Sequence, residues 1–186
     1  KGLVRAGVSG FAKVYLHPGH HAAYYPGATP IRLKLLFAVP DGRILGAQAV
    51  GVEGVEKRID VIATAIQMGG TVYDLAEAEL CYAPQFGGAK DPVNLAGMIA
   101  VNHLDGLMPL ADWQALDRTG AVVLDVRDDD EYAAGHAEGA IHIPLAELRR
   151  RHDELPRERP IAVCCGVGQR AYYATRFLAQ RGYRAA

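Results

Sequence analysis

Charge of one sign is not in excess: 20 Lys and Arg face 21 Asp and Glu in 186 residues, giving a formal net charge of −1. A chain so balanced presents no electrostatic case for nucleic acid or an anionic membrane as partner. Cysteine is scarce as well, with three in all, two of them adjacent at Cys164 and Cys165. Neighbouring cysteines rarely bridge, so there is no disulfide framework, and a reducing, cytoplasmic compartment is expected. No apolar run reaches the roughly 18 residues that a membrane span needs, and no signal peptide opens the sequence. Internal repeats and low-complexity segments are missing, and no third ligand joins His20 and His21 at a metal-binding spacing, so no metal is expected. Those two histidines are expected at the surface or at an interface.

Half of the residues are hydrophobic, and the length allows two domains of roughly 80 to 110 residues each. Lys1 to Gly7 has little pattern. Ala12 to Leu16 alternates like a strand, and Ile31–Val39 and Ile44–Val50 are β-rich runs flanking Pro40-Asp41-Gly42-Arg43, where the Asp-Gly pair signals a hairpin. Apolar residues at helical spacing from Val55 to Ile66 then stop at Gly69-Gly70. Thr71 and Asp74 have the spacing of a capping box opening a short helix through Glu79, and a further helix is expected over 93–104. The first unit, residues 1–105, therefore reads as α+β with an antiparallel sheet.

At Asp105-Gly106-Leu107-Met108-Pro109 the pattern breaks, and a second unit is expected over 110–186. Asp112 is positioned to cap a short helix through Leu116. Ala121–Val126 is a continuous apolar run, the mark of a strand buried on both faces. Helical segments at 129–134, 145–151 and 171–181 alternate with strands at 140–143 and 161–164. That order predicts a parallel α/β sheet, with the ligand site beyond the carboxyl ends of the strands.

The chemistry concentrates there, in Cys164-Cys165-Gly166-Val167-Gly168-Gln169-Arg170. A buried strand, a glycine loop and a helix start favour an anionic sulfur through loop amides, the helix N-terminus and the Arg170 charge. From Cys165 the spacing to Arg170 is C-x4-R, which fits a single sulfur atom. From Cys164 it is C-x5-R, which suits a phosphate-sized oxyanion and would imply a cysteine phosphatase or arsenate-handling site. Strand alternation turns Cys164 towards the core and leaves Cys165 as the first loop residue. Asp125, Arg127, Glu131 and His136 are read as charged groups that pair to support a loop rather than as a catalytic carboxylate–histidine cluster.

The second unit resembles the rhodanese family of sulfurtransferases. The resemblance rests on Leu124-Asp125-Val126-Arg127, Glu131-Tyr132, Gly135-His136, Gly139-Ala140-Ile141-His142-Ile143-Pro144 and the Cys165–Arg170 loop. It implies that Cys165 attacks a sulfane sulfur and holds it as a persulfide cradled by Gly166, Val167, Gly168 and Gln169. Arg170 then closes the loop and favours an anionic donor or the thiolate. The family more often has an aromatic residue where Cys164 stands.

The first unit is similar to the dimerisation domain of pyridine nucleotide-disulfide oxidoreductases, of the coenzyme A-disulfide reductase branch. The segments that carry this include His20 to Ala28, Ile44 to Gly51, Lys57-Arg58-Ile59-Asp60, Tyr82-Ala83-Pro84 and Lys90 to Asn94. This resemblance implies a homodimer through residues 1–105, with FAD- and NAD(P)H-binding domains before Lys1 and coenzyme A or another small thiol as substrate. It also implies that Tyr82 and one of Tyr24 and Tyr25, with Tyr24 preferred, approach the thiol substrate; aromatic packing at a dimer interface is the alternative. No G-x-G-x-x-G follows a strand, so no complete dinucleotide site is expected within this chain. The expected function is a flavin-dependent CoA-disulfide, CoA-persulfide or polysulfide reductase to which the rhodanese-like unit relays sulfur. A stand-alone sulfurtransferase and a non-enzymatic oligomerisation module are the rivals.

Overall fold

The computed structural model describes residues 2–113 and 116–186. The chain divides into two compact units between Asp105 and Gly106. Their folds are an antiparallel-sheet α+β unit and a parallel-sheet α/β unit, the classes expected from the pattern.

The first unit opens with a four-residue helix, α1 (Gly2–Arg5), in the segment where no pattern was evident. Three antiparallel strands follow, β1 (Phe11–Leu16), β2 (Arg32–Ala38) and β3 (Ile44–Val50), in the order β1-β2-β3. One face of the sheet is apolar because side chains alternate along a strand: Val14, Leu16, Leu33, Leu35 and Phe37 are all buried. Helices α2 (Val55–Gln67), α3 (Val72–Glu77) and α4 (Pro92–Leu104) complete the unit. Thr71 and Asp74 form a reciprocal capping box, and the helix they open ends at Glu77 rather than Glu79. In α4, Val93, Ala96, Gly97 and Ala100 are buried, a spacing of i, i+3, i+4, i+7 that makes one inward stripe.

Arg58, only 1% exposed, sits at the centre of the polar framework of this unit. Its Nη2 donates to Asp91 Oδ2 at 2.7 Å and to the carbonyl of His20 at 2.7 Å, while Nε donates to Asp91 Oδ1 at 3.2 Å. A buried guanidinium is tolerated only when paired and fully hydrogen-bonded, and these contacts draw the His20 segment inward. The surface placement expected for His20 and His21 is therefore corrected: they are 5% and 7% exposed within the chain itself. Thr29 N–H donates to His20 Nδ1 at 3.0 Å, and His20 Nε2 faces Glu53 at 3.3 Å.

In the second unit, the helix expected to run from Asp112 to Leu116 falls partly on Gln114 and Ala115, which lie outside the described residues; a short helix α5 occupies Leu116–Thr119. A three-stranded parallel sheet follows, made of β4 (Val122–Asp125), β5 (Ile141–His142) and β6 (Ile161–Cys164), in the order β5-β4-β6. Helices α6 (Asp129–Ala133), α7 (Leu148–Arg151) and α8 (Gln169–Gln180) connect or follow these strands. The α7 helix begins three residues later than expected, because Pro144 to Glu147 form a turn closed by the Glu147 N–H on the Pro144 carbonyl. Leu124, Val126, Ile143, Leu148, Ile161 and Leu178 are at most 1% exposed and form a second core. Full burial of such side chains contributes roughly 1.5–3 kcal/mol each. Asp125 lies opposite Cys164 in the β4–β6 register, so the chemistry-bearing residues gather at the carboxyl edge of the sheet. No helix among the described residues is long and apolar enough to cross a membrane.

Candidate active site

Cys164 is the last residue of β6, and Cys165 is the first residue of the loop that leads into α8. Helix α8 starts at Gln169, two residues before the expected position, because Gly168 adopts φ 95°, a left-handed conformation that turns the chain directly into the helix. This turn aims two backbone donors at one sulfur. Gly168 N–H donates to Cys165 Sγ at 3.1 Å, and Ala171 N–H donates to the same atom at 3.4 Å. Of the proposed cradle residues, Gly168 thus reaches the sulfur. Ala171, inside the first turn of the helix, adds a donor that the loop spacing did not reveal. Val167 is exposed, and Gln169 donates from Nε2 to Tyr173 Oη at 3.2 Å.

The Cys164 thiol differs from its neighbour in surroundings. Burial, then the charge of Asp125 and the proximity of Cys165, push its pKa up from 9.0 to about 11, although Arg127 opposes them. At neutral pH it is a protonated thiol, half-buried beside Asp125 and Arg127. Contrary to the expectation from strand alternation, Cys165 rather than Cys164 packs against the second core.

Arg170 closes the loop by binding carboxylates rather than by offering a free charge. Its Nη1 donates to Glu131 Oε2 at 2.5 Å and to Asp128 Oδ2 at 3.1 Å, and Nη2 donates to Glu131 Oε1 at 2.7 Å. This two-point pair, with a further bond from Asp128 N–H to Glu131 Oε2 at 3.2 Å, holds Glu131 at a pKa of about 2. Arg170, expected to close the loop and favour an anionic donor or the thiolate, is thus paired with two carboxylates. Asp128 was not singled out in the sequence; its signal is the Asp-x-x-Glu spacing at the start of α6, which is that of a capping box.

Asp125 and Arg127 form a second, separate pair. Arg127 Nη2 donates to Asp125 Oδ2 at 2.7 Å and to the Gly135 carbonyl at 2.7 Å, bracing the segment after α6. Asp125 is 1% exposed, and its carboxyl pKa is lowered because the hydrogen bonds and charge of Arg127 outweigh the desolvation that would raise it. His136 lies flat against Tyr132 with ring centroids 3.8 Å apart, and His142 stacks on the same tyrosine at 4.0 Å. No carboxylate–histidine pair joins His136 to Asp125 or Glu131 among the described contacts.

In the first unit, Tyr24 and Tyr82 meet across 58 residues, their hydroxyls 2.7 Å apart. The bond to Tyr82 is the main reason that the Tyr24 pKa is raised. Tyr25 instead packs edge-on against His21. Tyr82 also lines a cavity of about 450 Å³ that takes in Cys81 and Lys57.

An α+β domain built on an antiparallel sheet, followed by a parallel α/β domain whose last strand ends in a cysteine loop, is the class that these two folds and this loop define. Residues 6–91 match the pyridine nucleotide-disulphide oxidoreductase dimerisation domain, and residues 111–186 match the rhodanese-like domain. The structure is similar to that of reduced Bacillus anthracis CoADR-RHD, with TM-score 0.94 and 44% identity, over 98% of this chain and 33% of that one. It is also similar to a NAD-dependent persulfide reductase from A. fulgidus, with TM-score 0.87 and 41% identity, over 99% of this chain and 33% of that one. Over 84 residues, 45% of this chain and 19% of the relative, it is 43% identical to coenzyme A disulfide reductase of Staphylococcus epidermidis. The chain thus spans a third or less of the length of these relatives. The chain comprises a dimerisation domain of the pyridine nucleotide-disulphide oxidoreductases and a rhodanese-like domain, and is similar to part of the coenzyme A disulfide reductases.

Proposed function

We propose that this chain is the dimer-forming and sulfur-carrying part of a reductase of CoA disulfide, CoA persulfide or polysulfide, with Cys165 as the sulfur carrier. The observation that carries the reading is the pair of amides, Gly168 and Ala171, converging on Cys165 Sγ. In the proposed step, the Cys165 thiolate attacks the outer sulfur of a persulfide R–S–SH. The Sγ–S bond forms, the S–S bond of the persulfide breaks, and R–S⁻ leaves with its electron pair, giving Cys165–S–SH. A second thiolate then attacks the outer sulfur and regenerates Cys165. Arg170, tied to Glu131, keeps the loop closed around the enlarged side chain.

In the intact protein, FAD and NAD(P)H would supply the reducing electrons. The glycine loop of this chain turns its amides onto a single sulfur atom rather than onto a pyrophosphate, so its residues do not form a seat for either cofactor. The mutual Tyr24–Tyr82 hydrogen bond supports a place for that pair against the thiol substrate, where a phenol O–H can donate to a leaving thiolate. Homodimerisation through residues 1–105 is part of the same proposal, supported by the match to the dimerisation domain.

The test is mass spectrometry of the chain after exposure to a small organic persulfide. A gain of about 32 mass units, localised to the Cys165 peptide and lost in Cys165→Ser, is the expected result. Equal gain in Cys165→Ser, or no gain in the folded wild type, would overturn the sulfur-carrying reading.

A further inference from the structure

Arginine at the end of a cysteine loop ordinarily brings positive charge to an anionic substrate. In this loop it does not stand alone. Both terminal nitrogens of Arg170 are committed to carboxylates, Glu131 through two bonds and Asp128 through one. One cation against two carboxylates leaves one net negative charge beside the cysteine. The Glu131 carboxylate is not remote: a Cβ placed on Gly166, the residue after Cys165, would come within 3.7 Å of Glu131 Oε1 and 3.6 Å of Arg170 Nη2. The other nearby cation, Arg127, is balanced by the buried Asp125. The amides on Sγ therefore act inside a surround with no surplus of positive charge.

We infer that Glu131 and Asp128 set donor specificity: by neutralising Arg170 they turn away doubly charged inorganic sulfur donors and leave organic persulfides as the donor class that Cys165 accepts. The inference rests on the sulfur-carrying role of Cys165 proposed above. Charge balance shows why the two donor classes separate. Attack on thiosulfate, Cys–S⁻ + S–SO₃²⁻ → Cys–S–S⁻ + SO₃²⁻, breaks the S–S bond of the dianion and gathers three negative charges at the loop. Attack on a persulfide, Cys–S⁻ + R–S–SH → Cys–S–SH + R–S⁻, gathers one. Both carboxylates act through Arg170 as positioning residues, and neither needs to touch the sulfur. A role confined to folding would slow both donors alike, whereas a charge filter changes their ratio.

The experiment measures the second-order rate of sulfur loading on Cys165 by mass spectrometry, with thiosulfate and with N-acetylcysteamine persulfide, whose carbon skeleton is uncharged. Coulomb's law with water-like screening gives roughly tenfold for one charge removed about 6 Å from a dianion. Glu131→Gln, which keeps a hydrogen-bonding oxygen for Arg170, is expected to raise the thiosulfate-to-persulfide rate ratio by about that factor. Asp128→Asn, on a more exposed carboxylate, should raise it by roughly threefold. Independently of any variant, raising the ionic strength from about 20 to about 200 mM should speed thiosulfate loading of the wild type by screening a repulsion, with little effect on the persulfide. Ratios within twofold of wild type in both variants, or thiosulfate loading that slows with salt, would overturn the charge filter. Absence of loading from both donors would instead overturn the carrier role itself and remove the basis of the filter.

Discussion

Two sulfur atoms stand one residue apart at the end of β6, and the strand pleat gives them opposite surroundings. Cys164 keeps its proton until about pH 11, chiefly through burial. A thiol alkylates as its thiolate, so iodoacetamide at about pH 8 should label Cys165 and the exposed Cys81 and spare Cys164, as read by peptide mapping. Between about pH 9 and 11 two effects appear together. Labelling of Cys164 rises, and the second unit loses stability, because its folded form retains a proton that the unfolded chain has already released. Labelling of Cys164 as fast as Cys165 at about pH 8 would contradict this difference. Alternation correctly made Cys165 the first loop residue after the strand, but not its packing, since Cys165 rather than Cys164 lies against the second core. The sequence did not reveal the Arg170–Glu131 pair, 39 residues apart, or the Tyr24–Tyr82 pair, 58 apart, because the fold alone brings such side chains together. The same holds for His20 and His21, buried by a distant Arg58 that reads locally as an ordinary surface cation on a helix.

At the scale of elements, hydrophobic period and turn chemistry gave helix and strand order, while ends shifted where a local hydrogen bond competed. Helix α4 shows what periodicity leaves out. Its inward stripe includes Gly97, and α3 packs against it so closely that an added Cβ would meet the backbone of Ala76, the Val72 carbonyl oxygen at 2.7 Å and the Leu75 carbonyl carbon at 2.8 Å. Glycine in a helix interior is about 1 kcal/mol worse than alanine on propensity, and that term alone would make Gly97→Ala stabilising. The atoms in the way are main chain, unable to swing aside, so α3 and α4 must separate. We expect Gly97→Ala to destabilise the first unit by about 1–3 kcal/mol in urea unfolding. Unchanged or increased stability would mean that the contact relaxes at no cost.

At the scale of the whole molecule, the two units have separate cores: one built on Val14, Leu33, Leu35, Phe37 and Ile62, the other on Leu124, Val126, Ile143, Ile161 and Leu178. Among the described residues none belongs to both, and cooperativity follows shared packing, so each unit should melt as its own transition. Leu178 is completely buried against the parallel sheet, and Leu178→Ala should cost about 2–5 kcal/mol. For a unit of this size each kcal/mol lowers the midpoint by roughly 4–8 °C, so the second transition should fall by about 10 °C or more while the first stays in place. Gly97→Ala should do the reverse and leave sulfur loading of Cys165 at its wild-type rate. Differential scanning calorimetry of the two variants and the parent separates the possibilities. If each substitution moves both transitions together, the units are coupled energetically, and stability changes in the dimerisation domain would bear directly on the sulfur-carrying loop. If each moves only its own, the loop draws its geometry from the parallel sheet, α6 and α8 alone, and donor specificity can be altered at Glu131 and Asp128 without disturbing the first unit.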